Sequence, residues 1–289
     1  MYPILFRIGN FEITSFGLMM FVSFIAAAWI FGKQLQRYGY PRDIAWDVLA
    51  WVAIGGILGA KFYYLALHWQ DLVANPIREL LSRGGLVWYG GLIGGIVAFY
   101  FQVRAKKLPI ALMFDGTAAA LAIAYAVGRL GCFLVGDDYG VPTNSWVGIA
   151  FPEGSPPSTA ANLRAVGADV PPGLPDDAVL RVHPTQLYEI GLALVMFAVL
   201  WRMGRAKLHQ GQLFALYMML YSVERFFIEF LRAKGDRIAF GLSTSQVASI
   251  ILLTAGIALW TRQRRAPLVT FPALKDSQTA PTQRVARAR

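Results

Sequence analysis

The chain has a single cysteine, Cys132. That excludes an intramolecular disulfide and a cysteine-rich metal site. Charge is also scarce: Asp, Glu, Lys and Arg make up 15% of the 289 residues, while 56% are hydrophobic. So apolar a chain is no ordinary soluble domain and points to a protein that crosses a bilayer several times. No basic segment precedes the first apolar run, and the run continues too long for a cleavable signal peptide, so it reads as the first membrane helix. No internal repeat is visible, which removes support for an inverted-repeat transporter. Acidic residues are outnumbered, leaving a net charge of +10. A basic chain can signal nucleic acid, but here Lys and Arg sit beside apolar segments, the pattern of membrane topology. No nucleic-acid partner is expected.

What is present is a series of apolar stretches. They run Phe16–Phe31, Trp46–Leu67, Leu86–Val103, Leu112–Val135, Pro184–Trp201, Leu213–Leu231 and Gln246–Trp260, the last beginning as early as Leu242. Each is near the roughly 20 residues a crossing helix needs. The expected fold is all-α, a polytopic membrane protein with seven transmembrane helices. Basic clusters follow the first, third, fifth and seventh stretches: Lys33, Arg37 and Arg42; Arg104, Lys106 and Lys107; Arg202, Arg205 and Lys207; Arg262, Arg264 and Arg265. The positive-inside rule then puts the N-terminus outside and the C-terminus inside. Arg232, Lys234 and Arg237, after the sixth stretch, break that pattern and are candidates for a task outside. Residues 1–15 are expected to form an interfacial strand or short helix. Residues 137–182 hold seven prolines and cannot cross; on the outer side they would form a lid, an arm or a disordered insert. The expected plan is a membrane domain over 1–265, carrying 137–182 as an extracytoplasmic arm, and a disordered basic cytoplasmic tail over 266–289.

Polar residues concentrate at the predicted outer ends. Arg129 lies inside an apolar stretch, in Gly128-Arg129-Leu130-Gly131-Cys132-Phe133-Leu134-Val135-Gly136-Asp137-Asp138-Tyr139-Gly140. A charge in a membrane helix costs at least about 2.5–3.5 kcal/mol, so it is kept where it faces a cavity or a partner. Structural pairing with a carboxylate and a ligand site both fit. Gly84, Gly85, Gly90, Gly91, Gly94 and Gly95 surround Trp88 and Tyr89; tight helix packing and close ligand approach both fit, as does an aromatic belt. His183 and Gln186 share a face in His183-Pro184-Thr185-Gln186-Leu187-Tyr188-Glu189. Tyr221, Arg225 and Arg232 fall on one helical stripe, with Glu229 placed to pair with Arg225. Two arginines on separate helices near one face suit an anion between them, because the guanidinium fork binds two phosphate oxygens and keeps its charge. In a bilayer the abundant anion is a phospholipid headgroup.

In this order, over about residues 15–262, the stretches resemble the prolipoprotein diacylglyceryl transferases of bacteria. Gly128, Arg129, Gly131, Phe133, Gly136 and Gly140 match the family signature at its spacing. So do the stretches 90–94, 183–189 and 225–232. The resemblance implies transfer of diacylglyceryl from phosphatidylglycerol to the lipobox cysteine thiol of a preprolipoprotein, with release of glycerol phosphate. It implies a bacterial cytoplasmic (inner) membrane location. The partners would be phosphatidylglycerol, the preprolipoprotein signal peptide and membrane lipids, with no cofactor and no metal. The sequence departs from the family pattern at five positions: Tyr89 replaces a usual His, Cys132 and Val135 replace two Asn, Asp137 replaces Glu, and Phe16 replaces Tyr.

On this reading Arg129 and Arg225 hold the leaving phosphate. Tyr89, Asp137 and His183 complete the catalytic set, with His183 or Asp137 nearer the role of base and Tyr89 orienting substrate. Tyr221, Gln186, Glu189, Gly90, Gly91 and Gly140 line the substrate. A non-catalytic or altered-specificity phospholipid- or lipoprotein-binding paralogue is the alternative. A small-anion transporter is a further one, disfavoured because the charges lie at helix ends rather than mid-membrane.

Overall fold

The computed structural model describes residues 3–9, 11–82, 87–235, 238 and 241–271. Gly84, Gly85 and Leu86, Arg237 and the tail beyond 271 lie outside the described residues. The chain opens with a hairpin of β1 (Ile4–Ile8) and β2 (Phe11–Thr14), antiparallel, with Arg7 and Glu12 paired at 2.9 Å. Helix α1 (Ser15–Arg37) follows at once, then α2 (Asp43–Leu67), two single-turn helices α3 (Trp69–Ala74) and α4 (Pro76–Leu81), α5 (Trp88–Ala105) and α6 (Ile110–Val135). The stretch 137–182 is folded: β3 (Ile149–Ala150) pairs antiparallel with β4 (Arg181–Val182), and α7 (Ala160–Ala165) is capped by the Thr159 hydroxyl. Tyr139, Phe151, Leu163 and Val182 make its own small apolar core. Then come α8 (Thr185–Met203), α9 (Gln212–Ile228), a 3-10 turn over Glu229–Leu231, and α10 (Thr244–Arg262), which starts with a reciprocal Ser243–Gln246 capping box.

Five helices, α1, α2, α6, α8 and α10, are long and apolar enough to cross a membrane. Helices α5 and α9 cover the other two predicted crossings, but with 18 and 17 residues they are shorter, and α9 carries Glu224 and Arg225. The N-terminal segment is a hairpin, one of the two forms expected of it. Residues 266–270 continue as structured chain. Leu268 bridges His209, the amide of Gln210 donates to the Pro267 carbonyl (3.0 Å), and Val269 is buried.

The described residues divide into two compact units. One holds the chain to Ile30 and from Asp115 to Thr270; the other holds Phe31–Phe114 and Phe271. In the second unit α2 and α5 pack through glycine. A Cβ added at Gly55 would come 2.8 Å from the Gly94 carbonyl oxygen, and one at Gly90 would strike the Gly59 carbonyl and Tyr63. Small residues let helix backbones approach in this way where lipid offers no hydrophobic drive. The outward faces carry Trp51, Ile57, Phe62 and Trp88, all exposed; such a surface suits hydrocarbon, not water. In the first unit, Asp115 of α6 caps a neighbouring helix. Its two oxygens accept the amides of Gly211 (2.6 Å) and Phe214 (2.8 Å) at the start of α9. Gly211 has no side chain to cap α9 itself, so the orphan amides are met from another helix.

Candidate active site

Helix α6 ends at Val135 and the chain turns sharply. Gly136 (φ 72°) and Asp138 (φ 61°) both take left-handed backbone, a conformation that aspartate tolerates better than most residues. The first turn of α8 clamps that turn: the Gln186 amide donates to the Asp137 carbonyl (2.5 Å) and the Thr185 hydroxyl to the Asp138 carbonyl (2.8 Å). Gly140 is where three segments meet. Its amide donates to the His183 carbonyl (2.8 Å), and a Cβ there would strike the Leu231 carbonyl and lie 2.9 Å from His183 Cβ and Thr185 Cγ2. The close approach brings Arg232 beside Asp138.

The centre of the site is Glu189 of α8, fully buried. Its Oε1 lies 3.1 Å from Arg129 Nη2 and 3.2 Å from Arg225 Nη1, and it accepts the Tyr125 hydroxyl at 2.9 Å. Arg232 Nη1 is 3.7 Å away. Its other oxygen, Oε2, has no hydrogen-bond partner among the described residues. Around this crossing the charges alternate. Arg129 Nη1 reaches Asp138 Oδ2 (2.9 Å), and Asp138 also pairs with Arg232 and with Lys234 (3.4 Å). Arg225 Nη2 reaches Glu229 (2.7 Å) and the Ser245 hydroxyl (3.2 Å). The Arg129 guanidinium also lies over the Tyr125 ring, 5.4 Å from its centre. Buried charges persist only when paired in this way.

Outside the helices the two aspartates differ. Burial would raise the Asp138 carboxyl, but Arg232, Lys234 and Arg129 together hold it well below the usual carboxylate range. Burial, and then the charge of Asp138, push Asp137 upward. Asp137, Asp138, Asn162 and Lys234 line a cavity of about 190 Å³ that also includes Tyr139 and Leu163. The Tyr139 hydroxyl, pushed up to about 12 by burial and by Asp137, donates to the Pro157 carbonyl (2.9 Å), a bond within the arm.

The structure therefore brings together Arg129, Arg225 and Glu189, with Tyr221 nearby, its ring edge-on to Tyr125 at 5.4 Å. Gln186 and Gly140 shape the turn beside them. Asp137 supplies a backbone acceptor there and is one of the residues lining the cavity. His183 is bonded elsewhere: its Nδ1 is 3.2 Å from the Tyr188 hydroxyl. Tyr89, Gly90 and Gly91 belong to the other unit. Gly90 and Gly91 face α2, Gly91 lying 3.4 Å (measured from an added Cβ) from the Gly56 carbonyl, so helix packing accounts for both. Tyr89 is 58% exposed and meets Trp88 edge to face at 5.2 Å. Absent from the predicted site are Tyr125, Asp138, Glu224, Glu229 and Arg232. Two had a signal: Glu229 and Arg232 continue the Arg225 stripe. Tyr125, one helical turn before Arg129, had a weaker one.

A family model described as prolipoprotein diacylglyceryl transferase matches residues 3–262. The chain belongs to that family. Among curated relatives, the phosphatidylglycerol–prolipoprotein diacylglyceryl transferase of Clostridium tetani is 32% identical over 267 residues, covering 91% of this chain and 98% of its own. A second enzyme of that name from Clostridium perfringens is 33% identical, covering 89% and 93%, and one from Xanthomonas oryzae is 32% identical, covering 92% and 93%. In this member of the prolipoprotein diacylglyceryl transferase family, Cys132 is buried beside Arg129, its sulfur 3.8 Å from Nη1. That is a weak contact of a small, mostly apolar group. Cys132→Ser is expected to keep most transfer activity, measured as thioether product. Complete loss in a well-folded variant would point to a covalent intermediate on Cys132.

Proposed function

We propose that this protein transfers the diacylglyceryl group of phosphatidylglycerol to the cysteine thiol of a prolipoprotein and releases glycerol phosphate. Family membership supports the reaction. The observation that carries the site is that two arginines from different helices meet on one buried carboxylate oxygen. The sulfur attacks the glyceryl carbon next to the phosphate, the carbon–oxygen bond breaks, and its electron pair leaves on phosphate. Arg129 and Arg225 are the groups to hold that charge, by exchanging contacts with Glu189 for contacts with phosphate. A thiol with an ordinary pKa near ~8.5 must lose its proton. Asp137 on the cavity is a better candidate acceptor than His183, which is engaged with Tyr188. Tyr221, Gln186 and Gly140 would shape the substrate's surroundings. Purified protein, labelled phosphatidylglycerol and a lipobox peptide test the proposal. Thioether product supports it; lipid binding without product supports the non-catalytic paralogue instead.

That second reading has one specific support, Tyr89 in place of the family's usual His. If the protein is an active transferase in which Tyr89 orients substrate, Tyr89→Phe should lose activity by a modest factor and Tyr89→His should be tolerated or gain. A loss for Tyr89→Phe as deep as that for Arg129→Ala would make Tyr89 essential chemistry.

We further read the chain as a protein of the bacterial cytoplasmic membrane, crossing seven times, with the N-terminus and the 137–182 arm outside and the C-terminus inside. The alternating basic clusters support this orientation. A single cysteine introduced at Ala161 in a Cys132→Ser background should react with an impermeant maleimide in intact cells. Reaction only after permeabilisation would reverse the orientation.

A further inference from the structure

One buried acid has no part in the transfer described so far. Glu224, on α9, is 7% exposed. Its two carboxyl oxygens lie 3.3 and 3.4 Å from the Tyr125 hydroxyl, whose other neighbour is Glu189 Oε1 at 2.9 Å. Three helices, α6, α8 and α9, thus meet on one phenol. A phenol has a single proton to give, and an ionised carboxylate can only accept. Glu189 must be ionised, since Arg129 and Arg225 both pair with it. The Tyr125 proton therefore belongs on the shorter contact, to Glu189.

That leaves Glu224 facing a lone pair. The cations around it are engaged: Arg225, its neighbour on α9, pairs with Glu189 and Glu229 and also reaches Ser245 of α10, and Arg129 of α6 pairs with Asp138 and Glu189. Tyr221, one turn earlier on α9, offers its ring edge-on to Tyr125. Among the described residues Glu224 joins none of the ion pairs. A buried carboxylate in that position would be an uncompensated charge, which proteins avoid by neutralising the group.

We propose that Glu224 is kept as a neutral acid that donates to the Tyr125 oxygen, so that Tyr125 donates to Glu189. Two hydrogen bonds then run in one direction and end on the oxygen that gathers both arginines. Glu224 is a positioning residue: when the arginines turn to phosphate, Tyr125 keeps Glu189 in place for their return. Its effect on transfer rests on the reaction proposed above; its protonation does not.

Two measurements decide it. An infrared difference spectrum between wild type and Glu224→Gln near neutral pH should show the carbonyl stretch of a protonated carboxylic acid, lost in the variant. Its absence overturns the proposal whether or not the protein transfers lipid. In the thioether assay, Glu224→Gln, whose amide can still donate to Tyr125, should fall only a few-fold. Glu224→Ala and Tyr125→Phe should each fall by about tenfold, the worth of one buried hydrogen bond. The pH–rate profile of Glu224→Gln should match that of wild type. A Gln variant as impaired as Ala, or one that loses a limb of the profile, would mean that Glu224 works ionised and sink the assignment. A wild type that forms no thioether defeats the transferase reading alone, and the infrared result still decides the proton.

Discussion

Replacing Arg129 by alanine is expected to lower thioether formation by about 10²–10³-fold, the usual cost of removing one preorganised donor from a developing negative charge. Arg225→Ala should do the same. The expectation rests on their shared target. Both guanidinium groups reach Glu189 Oε1, so an anion that displaces this oxygen is met from two helices at once. Arg129→Lys should fare little better than alanine. Arginine uses one nitrogen for Asp138 and another for Glu189, and a lysine's single ammonium cannot reproduce that fork. Folding should survive each single change, because Glu189 keeps the other arginine and Tyr125. The check is phosphatidylglycerol binding by the purified variants alongside their thermal unfolding. If both alanine variants bind the lipid as wild type does, the two arginines do not share a phosphate.

Glu189→Ala should show its largest effect on the protein itself. Removing one partner of a buried pair typically costs about 3–5 kcal/mol, since the remaining charge is left uncompensated. Here two arginines lose their common partner together, and each is left with one other carboxylate, Asp138 for Arg129 and Glu229 for Arg225. Against a total stability of roughly 5–15 kcal/mol for an ordinary domain, that loss is severe. The melting temperature in detergent should drop steeply, and yield with it. Glu189→Gln keeps the shape and the bond from Tyr125 but not the charge, and should fall between. A Glu189→Ala protein that melts with wild type would show that the network does not hold α6, α8 and α9 together.

The helices were legible because their cause is local. Among the described residues each apolar stretch read from the sequence carries a helix, and the motifs at 128–140, 183–189 and 225–232 fall at helix ends. What escaped depends on long-range geometry. Two aspartates stand side by side at 137 and 138, and nothing in their order says which meets Arg129. The left-handed turn at Asp138, clamped by Thr185 and Gln186, decides it. Glu224 was invisible for a similar reason. As the sequence neighbour of Arg225 it lies about 100° around the helix from it, and Tyr125 of another helix joins it to the same cluster. The glycines at 90 and 91 are read less easily. Their pattern allows either packing or a site, and the glycines they pack against are more than thirty residues earlier, at 56 and 59. The arm was hardest, because its core of Tyr139, Phe151, Leu163 and Val182 has no periodicity to read.

The carboxylate that caps α9 sets the phase of the stripe that carries Arg225. Asp115 grips the amides of Gly211 and Phe214, and further along the same two helices the Arg129 and Arg225 side chains meet on Glu189. Helices α6 and α9 are thus pinned at two heights, like a screw held at the head and the tip. One residue inserted between Phe214 and Arg225 would advance the thread by about 1.5 Å and turn it by about 100°. The cap would stay closed while Arg225 swung off its carboxylate. The distance in residues from cap to arginine is therefore as much a part of the proposed site as the arginine itself.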